Sequence, residues 1–425
     1  MATDSTHTTH TTNSTHSTHS THSTHGTDIA DSPDDLTREP SSDSAAGSDA
    51  IPPDDAAAPA TPPRWCLYTR LLVAAGAGWL VLLLLQYALS GRWWAMMALN
   101  LEPPLAFLAV PLLLLAGVPA ARLARRKVPR RPALAVTGLA LAGLVLGYPW
   151  AGLNPAALWN GDAEAPPGAL RVVSFNTLAW GKSTTPDRFY QALKARNADV
   201  YLLQEYVWSD QDDANERRID DMARIRKQFP QYHVAVQGEL VTLSRYPIVA
   251  RPLVGPYRAT ARTASPDWYD VYRTGKVLRT DIRVRGEVVS LYNVHIPVQV
   301  DMRESFLTPT FYRVIHDREA ARRAQYRGLL DDIGANRNPL LVAGDFNTTA
   351  AMGDLRPLRS ALDDAADHGD SVLPLSWNEQ GRLRLWRLDW TFTAGLKTYR
   401  YALTALPEIS DHRLQETVVS VRASR

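Results

Sequence analysis

The 425-residue sequence predicts a layered α+β domain behind a polar tail and three apolar helices. Three observations carry this expectation. From Leu170 onward, short apolar runs with strand-like alternation recur, separated by a few amphipathic helical stretches rather than by a repeating βα order. Between residues 65 and 152, three apolar runs are long enough to cross a bilayer, and the first and third lack a polar stripe. Residues 1–63 hold no aromatic residue and ten acidic residues against one Arg. Such a segment buries too little apolar surface to offset chain entropy, so it is expected to be disordered.

Within that tail, Ser-Thr-His repeats from Ser14 to His25, and the tail carries six of the eleven histidines. A solvated low-complexity leader is the expectation, with metal binding as the alternative. The net charge of +2 hides an opposition between this acidic tail and residues 168–425, where 36 basic residues face 31 acidic ones. That mild surplus suits an anionic substrate and suits a solvated surface equally well. Cys66 is the only cysteine, which excludes an intramolecular disulfide, a cysteine zinc site and thiol pairs.

Residues 64–153 read as a three-helix membrane region. Leu67 to Ser90 is interrupted only by Arg70 and Gln86, while Pro103 to Ala121 and Pro132 to Leu153 carry no charge. Pro103, Pro104, Pro111 and Pro119 could kink the second run into a re-entrant hairpin. A cleaved signal peptide is a poor fit, because the first run follows a long acidic tail and two more follow it. Arg122, Arg125, Arg126, Lys127, Arg130 and Arg131 fill the loop after the second run. The positive-inside rule makes that loop cytoplasmic. Three spans then put the N-terminal tail in the cytoplasm and everything after Leu153 outside, in a multi-pass cell-membrane protein. Residues 154–168 form a polar linker, and residues 169–425 suffice for one soluble domain.

In that domain, strands are expected over Leu170–Ser174, Asp199–Leu203, Tyr232–Val236, Leu240–Leu243, Ile248–Leu253, Val277–Arg285, Glu287–Val294, Leu340–Ala343, Leu383–Phe392 and Arg413–Val421. Helices are expected over Pro186–Arg196, Ala214–Gln228 and Pro309–Gly334, with Arg217, Arg218, Arg322 and Arg323 on outward helical faces. Polar clusters close or follow these runs in a fixed order: Ser174-Phe175-Asn176, Gln204-Glu205, His295, Gly344-Asp345-Phe346-Asn347, Arg387-Leu388-Asp389-Trp390 and Ser410-Asp411-His412. Carboxylates, imidazoles and carboxamides at strand ends suit holding a hard divalent cation and attacking a phosphate ester beside it.

This pattern closely resembles the endonuclease/exonuclease/phosphatase superfamily, over roughly residues 169–424 and with motifs in that family's order and spacing. The resemblance implies a DNase I-like, four-layer α/β/β/α sandwich with its site at one end of two facing sheets. It implies that Asn176, Glu205 and Asp411 lie at the metal, with Glu205 the main ligand. His295 is then near the scissile phosphate, Asp345 and Asn347 position water and phosphate, and Asp389 orients the catalytic His412. Leu414 stands where the family usually has Pro, and Trp390 where Tyr is common; 303–311 matches no subfamily's recognition loop.

The residue types fit that chemistry. Glu205 and Asp411 suit Mg²⁺ or Mn²⁺, and Asn176 adds a neutral oxygen. Asp345 is free to align water, and a carboxylate on one nitrogen of His412 supports its protonated form. Singly, each motif has an ordinary reading: Asn176 as a strand cap, Asp345 with Asn347 as an Asx turn, His295 as a core histidine. Their joint order favours the chemical reading. His233, His316 and His368 are expected to be structural or solvated, and Trp377 to pack. The expected function is a membrane-anchored, metal-dependent phosphoesterase acting on nucleic acid, a phospholipid headgroup or a phosphorylated small molecule, with no obligate protein partner. The alternative is a non-catalytic membrane receptor or scaffold for phosphorylated ligands.

Overall fold

The computed structural model describes residues 65–160, 163–209, 216–300, 305–378 and 383–421. The Ser-Thr-His repeat and the rest of the tail lie outside the described residues. Everything described belongs to one compact unit, Pro63–Arg425.

Helices α1 (Leu67–Leu89), α3 (Ala106–Leu123) and α4 (Arg130–Gly147) pack together, with short helix α2 (Met96–Leu99) in the connection between α1 and α3. Three helices are thus long and apolar enough to cross a membrane. Pro111 and Pro119 sit inside a continuous α3, so the second run is a single helix rather than a hairpin. Val118, Val136 and Ala140 face inward, whereas Leu84, Leu113 and Val145 remain exposed. An outward apolar face has no hydrophobic reason to form in water.

The rest of the chain folds around two six-stranded sheets. The first contains β1 (Leu170–Asn176), β2 (Val200–Gln204), β3 (His233–Gln237), β4 (Leu240–Ser244), β10 (Leu396–Ala405) and β11 (Arg413–Val421), in the order β10-β11-β1-β2-β4-β3. The second runs from a short strand, Asp363–Asp364, through β9 (Asp389–Ala394), β8 (Leu340–Asp345), β7 (Glu287–His295) and β6 (Val277–Val284) to β5 (Ile248–Ala250).

Three cores stack in layers. Leu170, Val172 and Leu202 meet Leu291, Leu341 and Ala343 between the sheets. Helices α5 (Pro186–Ala195) and α6 (Met222–Gln228) cover the outer face of the first sheet through Phe189, Leu193 and Ile225. Helix α7 (Pro309–Ala335) covers the second through Tyr326 and Leu329. This is the four-layer α/β/β/α order. The sheets also share polar contacts: the Gln204 amide donates to Asn293 Oδ1 (2.7 Å), and Asn293 donates to two backbone carbonyls of the first sheet.

Several local expectations change. Of the expected Ala214–Gln228 helix, only Met222–Gln228 is helical, residues 214–215 being outside those described. Arg217 and Arg218 instead form a two-residue strand against Val207 and Trp208. Arg322 is buried rather than outward; its guanidinium bonds the Pro297 carbonyl and the Thr348 hydroxyl. The strand expected from Leu383 begins only at Asp389. Strand β10 escaped the sequence reading because it is an edge strand, with Lys397 and Arg400 exposed and a register shift between Thr398 and Arg400.

Candidate active site

Strand register builds the site before any side chain is considered. In the second sheet, Asp345 pairs with His295 on its parallel neighbour and with Asp389 on its antiparallel neighbour. In the first, Asn176 pairs with Gln204, which places Glu205 one residue beyond. Parallel strands present their C-terminal ends at one edge, and an antiparallel neighbour brings its N-terminal end there. Five motifs far apart in sequence therefore lie at strand ends of the two sheets.

Asp345 lies at the centre and is 1% exposed. Its Oδ2 accepts from the amides of Asn176 (3.0 Å) and Asn347 (3.3 Å), while Oδ1 accepts the Asn347 backbone N–H (2.8 Å). The Nε2 atoms of His295 and His412 each lie 3.7 Å from Oδ2. Burial raises Asp345 to about 6, against the opposing pull of His412.

Each imidazole has a carboxylate behind it. His412 Nδ1 is 2.8 Å from Asp389 Oδ2. Burial alone would lower its pKa, but Asp389 and Asp345 outweigh burial and hold it well above the ordinary value. His295 Nδ1 lies 3.1 Å from Glu239 Oε2, aligned as an ion pair rather than as a hydrogen bond. The second oxygen of Glu239 meets the Lys276 ammonium, which also sits 3.6 Å above the Tyr272 ring. Burial opposes ionisation of Glu239, yet His295 and Lys276 bring its pKa down to about 2. Glu239 and Asp345 likewise outweigh burial and raise His295.

Glu205 and Asn347 both adopt left-handed backbone, at φ 62 and 45. Non-glycine residues hold this conformation at a cost, and such costs concentrate at functional sites. A second left-handed run, Leu178 to Gly181, follows Asn176 and turns the Ala179 N–H onto Glu205 Oε2 (2.8 Å). Glu205 Oε1 accepts from Asn176 (2.9 Å). Asp411 enters from the loop before β11, where the Ser410 hydroxyl donates to the Asn176 carbonyl (2.8 Å). Trp377 donates to Asp411 Oδ2 (2.9 Å), so it does more than pack.

Asn176, Glu205, His295, Asp345, Asn347, Asp389 and His412 are thus linked by successive contacts of 3.7 Å or less. Glu239 and Lys276 complete the cluster and were not expected. A glutamate after Gly238, between strands, reads as a solvated hairpin charge, and no local signal marks it otherwise.

Carboxylates suit a hard divalent cation: Asp411 Oδ1 is buried with no hydrogen-bond partner, while Glu205 Oε1 and Oε2 accept from Asn176 and the Ala179 N–H, and Asn176 Oδ1 accepts from the Leu178 N–H. Ligand atoms of Asp345, Asp389 and His412 also fall within 4.8 Å of one another. There, however, Asp389 and the His412 Nδ1 already occupy each other, leaving fewer free donors.

The chain is similar in part to several solved structures. An endonuclease/exonuclease/phosphatase from Beutenbergia cavernae DSM 12333 is 16% identical (TM-score 0.40), covering 60% of this chain and 72% of that one. Truncated Caenorhabditis elegans TDP2 is 17% identical (TM-score 0.40; 59% and 97% covered). The human Nocturnin catalytic domain, with bound sulfate, is 15% identical (TM-score 0.40; 63% and 100%). No curated protein matches the chain. The model of the Endonuclease/Exonuclease/phosphatase family matches residues 173–412, which include every site residue named above, and the chain belongs to that family.

Proposed function

We propose that this protein is a membrane-anchored, divalent-metal-dependent phosphoesterase that hydrolyses its substrate by attack of water. The observation that carries this reading is Asp345 Oδ2 facing two imidazoles, each backed by a buried carboxylate. Asn176, Glu205 and Asp411 would hold Mg²⁺ or Mn²⁺. Such an ion, when bound, neutralises charge on the phosphoryl oxygens.

The chain's own groups supply the rest. Asp345, with a pKa of about 6, is ionised at neutral pH and accepts a proton as the water oxygen bonds to phosphorus. The ester P–O bond breaks, and the leaving oxygen takes up a proton. His412, held protonated by Asp389, stabilises the developing negative charge, and His295 does so from the other side. The Asn347 amide, fixed on Asp345 Oδ2 and the Ile296 carbonyl, holds the loop against the phosphate position.

The helices support a membrane anchor with the catalytic sheets outside. Leu83 near the end of α1, Phe107 at the start of α3 and Trp150 after α4 gather around Ala351 of the sheet domain. The basic loop joins the opposite helix ends, where Arg126 stacks on Tyr68. By the positive-inside rule that end is cytoplasmic. The substrate is a phosphate ester of nucleic acid, phospholipid headgroup or small-molecule type.

The test is hydrolysis by the detergent-solubilised full chain with Mg²⁺ or Mn²⁺, compared across plasmid DNA, RNA, phospholipids, phosphoinositides and a generic bis-ester. Metal-dependent cleavage of at least one, lost in Asp345→Asn, is expected. Inactivity on the whole panel would sink the proposal.

A further inference from the structure

Beyond Arg70 near its start, the apolar run of α1 is interrupted at Gln86, and the phosphoesterase mechanism makes no use of that residue. An amide inside a membrane-compatible helix is costly unless its hydrogen bonds are made. Here Gln86 is 1% exposed, and its Nε2 donates to Asn100 Oδ1 (2.6 Å) and to the Ala351 carbonyl (2.8 Å). Asn100, from the α1–α3 connection, donates in turn to Ser90 Oγ (3.1 Å). Ser90 Oγ accepts the backbone N–H of Gly353 (2.9 Å). The cluster therefore spends its hydrogen bonds on backbone groups of residues 351 and 353.

Those residues end the loop that begins at Asn347. The near end of that loop is fixed by Asp345 and Ile296, and by Gln299 donating to the Asn347 carbonyl (2.6 Å). The next residue is held where Trp390 donates to the Thr348 carbonyl (2.8 Å). The far end has the helix cluster. Contact there is backbone to backbone: a Cβ added at Gly353 would fall 1.8 Å from the Ser90 carbonyl oxygen. Glycine is required for that approach.

We propose that Gln86, Ser90 and Asn100 are positioning residues for the 347–353 loop, so that the membrane helices form part of the catalytic apparatus. The inference rests on the phosphoesterase reading above. Asn347 adopts left-handed backbone, which persists only where its surroundings over-determine it. Releasing the far end of a six-residue stretch beyond it lets the Asn347 amide leave Asp345. Small misplacements of this kind cost catalysis far more than they cost binding.

The experiment uses the full chain in detergent micelles and two variants outside the reacting groups, Gln86→Leu and Gly353→Ala. Kinetics on bis(4-nitrophenyl) phosphate with Mg²⁺ are paired with amide hydrogen exchange. The expected result is a kcat lower by about tenfold or more with KM nearly unchanged, and faster exchange confined to 347–353 while β1 and β8 keep their protection. A role in folding alone would instead lower the yield or the melting temperature and leave kcat per folded molecule intact, which overturns the proposal. Should either variant fail to fold, Ser90→Ala, which removes the hydroxyl that accepts from Gly353, Asn100 and Gln86 but keeps the backbone approach, is expected to give a smaller loss in the same direction. Unchanged kcat and unchanged exchange in the folded variants would also overturn it. If the wild-type chain cleaves no phosphoester, the phosphoesterase reading falls, and the exchange comparison still decides whether the helix residues order the loop.

Discussion

The two imidazoles of the site reach the same oxygen at the same distance, yet they are supported differently. His412 meets Asp389 in an aligned 2.8 Å hydrogen bond, and no lysine or arginine among the described residues pairs with that carboxylate. His295 meets Glu239 at 3.1 Å out of line, and Glu239 is shared with the buried ammonium of Lys276. A carboxylate divided between two cations pulls less on each. The His412 arm is therefore the stronger support for a protonated ring, and the His295 arm the weaker of the two.

Removing the shared oxygen's charge breaks both arms together. Asp345→Asn is expected to lower kcat/KM by about 10³-fold or more, with the melting temperature kept or raised because a buried charge is lost. A variant within tenfold of wild type would refute convergence on Asp345.

The next effect is on stability. Lys276→Met leaves Glu239 with His295 alone and should destabilise the fold by about 3 kcal/mol in denaturant unfolding, the scale for breaking a buried ion pair. A loss under about 0.5 kcal/mol, typical of a surface pair, would mean the ammonium is not part of the arm.

The direct comparison is between carboxylate neutralisations. Asp389→Asn is expected to lower kcat by about 100-fold and Glu239→Gln by about tenfold, within the range for removing a carboxylate that orients a functional histidine. Equal losses would show that Lys276 does not weaken the second arm.

The smallest effect is a pH dependence. The pKa of Glu239 is depressed to about 2 in the folded state. Its contribution to stability is then full above the unfolded value, about 4.3, and lost as pH falls toward 2. The stability difference between wild type and Glu239→Gln should change first as His295 titrates, hold steady to about pH 4.5 and then close. A difference that stays the same through the acid range would place the charge of Glu239 outside the fold's energetics.

These two arms were unequally visible in the sequence. Asp389 and His412 sit in short motifs whose order and company mark them, and so do Asn176, Glu205, Asp345 and Asn347. Glu239 and Lys276 have no such company. Each is an ordinary charged residue beside a strand, and they meet His295 only because β4 and β6 begin at the rim where β7 ends; the backbone bond from His295 N to the Lys276 carbonyl fixes one of them there. Arg322 misled for the same reason. On a long amphipathic helix an arginine reads as solvated, and only the loops packed above α7 bury it.

By itself the sequence determined the α+β layering, the three apolar helices and most of the residues that meet at the candidate site. Hydrophobic periodicity and strand-end motifs are local properties, written within a few residues of one another. Tertiary structure alone decided which carboxylate backs His295, which side chains lose their water, and that Gln86 of an apolar helix reaches a carbonyl 265 residues away. Those outcomes depend on strand register and on packing between distant segments, and neither leaves a mark on the residues nearby in the chain.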